Sequence, residues 1–342
     1  MSPKVIIQCL VYNHESYLRD CLNGFVMQKT DFPFIAVVHD DCSTDSSAAI
    51  IQEYAEKYPH IIEPIYEDEN LYSKRDGSFS KVIKKSIDGR SPYIALCEGD
   101  DYWTDPYKLQ KQVEYMDSHP DCSMCCSNAE VFSDSHILTD EELKNIYWPL
   151  IPDSGNLNPQ EIILQGGWYL HTCTLLYRAD LKKDMPEAAM QCMVGDYPLQ
   201  IFAALKGDVY YFSEKMAVYR FLLSNSWTKK DADASNAPIK LTLSLLNCLS
   251  SLDEYSNKKL HDTFVTRQIN LVTKLLESFP NERKEILKSL GWVLKYDYVA
   301  SILKHRRIPL FKRFKFRLTR FFTWPYHPIM KKIIRGKNSP KS

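Results

Sequence analysis

Two groups of residues have types and spacings suited to chemistry. The first is His39-Asp40-Asp41-Cys42-Ser43-Thr44-Asp45. Ser43, Thr44 or Asp45 suits the cap of a following helix, but capping does not require two adjacent acids ahead of it. A carboxylate held there can accept an N–H from a nucleobase. The second is Glu98-Gly99-Asp100-Asp101-Tyr102-Trp103. Its crowded carboxylates repel one another unless a cation or hydrogen-bond donors offset them. Hard divalent cations such as Mg²⁺ take oxygen ligands, often carboxylates together with substrate phosphates. Gly99 permits a tight turn or close approach to a ligand. A solvated acidic turn is the plain alternative.

The elements that would hold these groups alternate between two patterns. Short apolar runs at Val5–Val11, Phe34–Val38, Ile61–Tyr66, Tyr93–Cys97 and Ser123–Phe132 read as strands. Between them, helical spacing covers Ser16–Met27, Asp45–Tyr58, Phe79–Ile87 and Pro106–Ser118, with Pro106 at a first helical position. Strands alternating with helices imply an α/β fold, a mostly parallel sheet with helices on both faces. Ligands of such sheets bind beyond the carboxyl ends of the strands, where both acidic groups fall. Ser133–Gln165, rich in Asp, Pro and Asn, reads as loops. Thr172–Tyr177, Val209–Phe212 and Met216–Arg220 read as further strands, and Pro198–Leu205 as a helix. From about Pro238 to Lys304 the pattern is helical throughout.

The chain has 342 residues and a formal net charge of zero, with 44% hydrophobic and 25% charged residues. That composition excludes a disordered chain, a collagen-like fibre and a disulfide-stapled miniprotein. The zero conceals an asymmetry. From Lys304 onward there are 13 Lys and Arg and no acid, so residues 1–303 carry a net −13. No run approaches the ~18 apolar residues of a membrane span, and the apolar start is too short for a signal-peptide core. A cytoplasmic location is expected. Only Cys122, Cys125 and Cys126 of the ten cysteines cluster, without the second pair a zinc site needs, so reduced, mostly buried thiols are expected.

Four segments in order resemble the large inverting glycosyltransferase family two, of GT-A, Rossmann-like fold. They are Val5 to Asn13, Asp40-Asp41-Cys42-Ser43-Thr44-Asp45, Glu98-Gly99-Asp100-Asp101, and Gly195-Asp196-Tyr197. The resemblance covers about the first 220 residues. It implies transfer of a sugar from a nucleotide-diphosphate donor, a UDP-sugar first among them, to a glycan or lipid-linked hydroxyl. Asp41 would meet the uracil N–H and Tyr12 would pack near the base. Asp100 and Asp101 would hold Mg²⁺ or Mn²⁺, with Glu98 at the outer position of the donor site. Arg75, beside Lys74, matches a region that contacts donor phosphates. Trp103 either floors the sugar site or packs in the core. Asp196 would be the catalytic base, with a helix N-cap as its alternative. His171 precedes a strand resembling part of the acceptor wall, though a lone His is more often structural.

The sequence departs from the family pattern at three points. Glu98 replaces the commoner Asp, Cys42 replaces Gly, and Tyr219-Arg220 is followed by Phe221-Leu222 without the His many relatives carry. Arg220 or Lys229 could contact the diphosphate instead, against a structural ion pair for Arg220 and a surface charge for Lys229.

The expected organisation is a transferase domain over 1–230, a helical region over 231–304 and a basic tail over 305–342. Pro309–Trp324 can form a helix with Leu310, Phe311, Phe314, Leu318, Phe321 and Phe322 on one face and Lys and Arg elsewhere. Such a helix suits an anionic membrane surface, packing on the body, or nucleic acid. Two other functions remain open: a non-catalytic nucleotide-sugar-binding or scaffold subunit, and a basic-tailed nucleic-acid-binding protein.

Overall fold

The computed structural model describes residues 2–133, 136–145, 149–221 and 237–279, together with 282, 286 and 288. The amino-terminal half runs β1 (Val5–Val11), α1 (Leu18–Val26), β2 (Phe34–Asp40), α2 (Ser47–Lys57), β3 (Ile62–Tyr66), α3 (Leu71–Lys74), α4 (Ser78–Ile87), β4 (Tyr93–Leu96), β5 (Tyr102–Trp103), α5 (Lys108–Ser118) and β6 (Cys122–Ser133). It continues with β7 (His136–Ile137), α6 (Asp140–Asn145), β8 (Gly155–Asn156), α7 (Pro159–Gln165), β9 (Leu176–Arg178), α8 (Glu187–Met190), α9 (Asp196–Lys206) and β10 (Asp208–Phe221). Two long helices follow, α10 (Ala237–Tyr255) and α11 (His261–Ser278).

One sheet carries the strands in the order β3-β2-β1-β4-β9-β6-β10-β5, with β7 on β6 and β8 on β10. β3, β2, β1 and β4 are parallel, as are β6 and β10, while β9 and β5 run antiparallel to their neighbours. Side chains alternate across a strand, and β1 shows it. Val5, Ile7, Cys9 and Val11 join a core with α1, α2 and α5. Ile6 joins the opposite core, with Ile83 and Ile87 of α4, Ile162 and Ile163 of α7, Phe202 of α9, Leu249 of α10 and Phe264 of α11. Both faces are covered, which is the expected α/β arrangement.

Backbone contacts continue the ladder past the strand ends. Asp41 N–H donates to the Val11 carbonyl at 3.0 Å, and Gly99 N–H to the Leu10 carbonyl at 3.0 Å. The acidic loops are therefore extensions of the sheet. α1 rests directly on β5: a Cβ at Gly24 would lie 2.9 Å from the Trp103 backbone nitrogen. Glycine there sets how closely the helix backs the strand that follows Asp101.

Several sequence expectations are corrected. Within 133–165 the Asp, Asn and Pro residues start helices. Asn158 caps α7 by accepting from Gln160 N–H at 2.9 Å, with Pro159 at its first turn. Thr139 and Glu142 form a reciprocal cap on α6. Thr172–Thr174 is a tight 3-10 turn, with the strand only at Leu176–Arg178. Val209–Phe212 and Met216–Arg220 belong to one strand, whose register on β6 shifts between Phe212 and Ala217. Pro106 precedes α5, which starts at Lys108. All ten cysteines are free, and eight of them are buried. The tail over 305–342 and Lys229 lie outside the described residues. Among the described residues, no helix is long and apolar enough to cross a membrane.

Candidate active site

The first acidic loop is built from two buried carboxylates. Asp40 and Asp41 are each 3% exposed. Asp40 accepts from the Ser43 hydroxyl at 2.5 Å and from the Ser43 N–H at 3.2 Å, closing the turn into α2. Asp41 turns the other way. Its two oxygens accept the Leu71 and Tyr72 N–H groups at 2.8 and 3.0 Å, holding the first turn of α3. Each oxygen keeps a second lone pair. Cys42 adopts a left-handed φ of 62°, a backbone conformation that favours glycine. Asn13, also left-handed, locks the β1 loop onto this one through its Oδ1 and the Thr44 N–H at 2.7 Å. Tyr12, 37% exposed, stands at the mouth of these interlocked loops. Arg75 ends α3, exposed, its guanidinium 4.1 Å from the Tyr72 ring centroid. The same four-residue helix thus links Asp41 at its start to Arg75 at its end, a connection the sequence did not signal.

The second acidic loop brings Glu98, Asp100 and Asp101 together, with one carboxylate oxygen from each lying within 4.8 Å of the others. Gly99 is required by its neighbours, since a Cβ there would meet His14 Nδ1 at 2.7 Å and Val11 Cγ2 at 3.0 Å. Asp101 is 1% exposed. Its Oδ1 accepts the Arg220 N–H at 2.8 Å, while Oδ2 is buried without a hydrogen-bond partner. Burial first, then Asp100, pushes its carboxyl well above the ordinary range. Glu98 is exposed to solvent. Crowding by the surrounding protein, then the charges of Asp100 and Asp196, raises its carboxyl above the ordinary range. Three oxygen donors, one with a buried unsatisfied lone pair, fit a hard divalent cation.

Asp196 opens α9 across from this cluster. Gly195 is the N-cap, so Asp196 is the first helical residue; its Oδ1 accepts its neighbour Tyr197 N–H at 2.8 Å, and its Oδ2 accepts the Thr172 hydroxyl at 3.0 Å. Burial raises its pKa. Tyr219 lies in the combined field of Asp101, Asp100, Glu98 and Asp196 and stacks on His171, the ring centroids 4.9 Å apart. Burial holds His171 neutral, its pKa lowered to about 4. Thr172 and Tyr219 were missed from sequence because neither residue type nor spacing marks them.

Two expectations resolve differently. Trp103 is a core residue, 2% exposed, its Nε1 donating to the Cys173 carbonyl at 2.7 Å and its ring edge-on to Phe25. Buried in the core, it leaves no surface for a sugar to rest on. Arg220 is the structural ion pair. It meets Asp20 at 2.5 Å and the Asp100 carbonyl at 2.8 Å, between the rings of Tyr17 and Tyr102.

Known proteins resemble the chain in sequence and in fold. The glycosyl transferase family 2 profile matches residues 7–181, just over half of the chain, taking in both acidic loops and ending before Asp196. An uncharacterized protein of Mycobacterium tuberculosis is 34% identical over 221 residues, which is 65% of this chain and 60% of that relative. The chain thus spans about 60% of that relative's length. A poly(ribitol-phosphate) beta-glucosyltransferase of Bacillus spizizenii is 33% identical over 102 residues, 29% of this chain and 15% of the relative. The solved structure of GalNAc-T7 with UDP, GalNAc and Mn²⁺ shares the fold, with a TM-score of 0.51 at 8% identity over 86% of this chain and 58% of that one. With two acidic loops extending one mostly parallel sheet, and a profile spanning β1 to β9, the chain belongs to glycosyl transferase family 2.

Proposed function

We propose that the protein is an inverting transferase that moves a sugar from a nucleotide-diphosphate donor, with a UDP-sugar favoured, to a hydroxyl of a glycan or lipid-linked acceptor in surface polysaccharide synthesis. The observation that carries it is the three-carboxylate cluster with the buried, unpartnered Oδ2 of Asp101. Asp100 and Asp101 are the assigned Mg²⁺ or Mn²⁺ ligands, with Glu98 beside them. Such a cation supplies charge to offset that developing on the departing nucleoside diphosphate. Tyr12 and Asp41 are assigned to the base, and Arg75 to the donor phosphates. Asp196 accepts the proton of the acceptor hydroxyl as that oxygen bonds to the anomeric carbon and the carbon–phosphate-oxygen bond breaks. One in-line displacement inverts the centre. A raised pKa in Asp196 makes it a stronger base than an ordinary carboxylate once ionised. The glucosyltransferase relative supports a polymeric acceptor.

The test screens UDP- and GDP-sugars for nucleotide release by the purified chain, with Mn²⁺, with Mg²⁺ and with chelator. Release with either cation, lost on chelation and in Asp100→Ala, is expected. Undiminished turnover in Asp100→Ala and Asp196→Ala would remove the assigned roles. Thermal stabilisation by UDP and Mn²⁺ with no turnover would favour a binding subunit.

A further inference from the structure

The first turn of α5 carries an ammonium group cut off from water. Lys108 is fully buried, and its hydrogen-bond partner among the described residues is Gln112 Oε1, at 2.8 Å. Its Nζ also sits 4.2 Å from the Trp103 ring centroid, a cation–π contact in a dry setting. Burial lowers its pKa to about 8. A buried ammonium without a counterion destabilises a fold, so its contacts indicate what it does.

Both of the side chains it holds are themselves donors. Trp103 Nε1 donates to the Cys173 carbonyl at 2.7 Å, and Gln112 Nε2 to the Thr174 carbonyl at 2.9 Å. These are successive carbonyls of the Thr172–Thr174 turn. On its other side that turn presents the Thr172 hydroxyl to Asp196 Oδ2 at 3.0 Å and places Cys173 close enough to feel the charge of Asp101. An amide side chain can present either end. Nζ fixes the choice, because it claims Oε1 and leaves Nε2 for the turn.

We propose that Lys108 is a positioning residue for sugar transfer: by orienting Gln112 and Trp103 it locks the Thr172–Thr174 turn, and so sets Asp196 against Asp101. This rests on the transferase reading of Asp196. A methionine of similar length would fill the core but leave the Gln112 amide unoriented. The test is Lys108→Met, read by UDP release from the donor selected above and by UDP binding with Mn²⁺.

The expected result is a folded protein whose kcat falls by about tenfold or more, with the UDP dissociation constant within about threefold of wild type. A core-filling role alone would shift thermal stability and leave kcat in place. Thr172→Val supplies the coupling test. If Lys108 acts through this turn, the double variant is no slower than Thr172→Val alone, whereas full additivity overturns the proposal. Gln112→Glu is the second variant. It gives Lys108 a counterion and replaces the donor to the Thr174 carbonyl with an acceptor oxygen, so kcat again falls while UDP binding holds. Wild-type kcat in either folded variant overturns the proposal, as does failure of both to fold, which would make Lys108 a folding residue. Wild-type turnover in Asp196→Asn would instead overturn the transferase reading itself.

Discussion

Asp196 and Asp101 are carboxylates with raised pKa values and different assignments. Asp101 is the buried member of the carboxylate cluster, with one oxygen bonded to backbone. Asp196 is half-buried and has a hydroxyl partner. Burial raises the Asp196 pKa, and only the ionised form can accept a proton. Turnover should therefore rise with pH through an apparent pKa above the ordinary ~3.9 of aspartate. Asp196→Asn should cut kcat by about 10²–10⁴-fold and leave UDP binding intact, measured by steady-state release and calorimetry. A flat acid limb, or an active Asn variant, would count against the base role. The acidic residues were legible because adjacent acids at strand ends have few uses. Trp103 was not, because its orientation depends on a carbonyl 70 residues away.

The elements show the same division at a larger size. Strands β1, β2 and β4 were legible from their apolar runs, with ends correct to within two residues. α3 was not, because its four residues carry no period and its start is fixed by Asp41, 30 positions earlier. β10 looked like two strands because Ser213-Glu214-Lys215 interrupts its apolar pattern where the register on β6 shifts. The close approach of Gly24 to β5 gives a prediction at this scale. Gly24→Ala places a methyl 2.9 Å from the Trp103 nitrogen and 3.1 Å from its carbonyl oxygen, both backbone atoms. Overpacking of this kind costs about 1–3 kcal/mol, and the strand it displaces follows Asp101. Denaturant midpoints should fall, with reduced UDP release in the protein that stays folded. An unchanged midpoint would show that α1 shifts freely.

At the scale of the whole chain, an acidic body of net −13 is joined to a basic segment beginning at Lys304. We propose that this segment holds the enzyme against anionic lipid beside a lipid-linked acceptor. Removing 304–342 should abolish co-sedimentation with phosphatidylglycerol vesicles while UDP binding persists. Unchanged sedimentation would reject it. The buried ammonium of Lys108 also has a consequence for the molecule as a proton-binding system. Its pKa is about 8 folded, against an ordinary 10.5. Below pH 8 both states hold the proton and the folded state bears the full penalty. Between those values the unfolded chain binds more protons, so stability from this group rises with pH. Lys108→Met escapes that penalty, on the order of 3 kcal/mol. Its stability advantage over wild type should be largest near neutrality and shrink toward pH 10.5, as followed by urea unfolding across that range. A gap that stays constant with pH would mean that the lysine keeps its ordinary affinity for protons. One side chain that never meets solvent thus makes its own contribution to stability grow as pH climbs from about 8 toward 10.5.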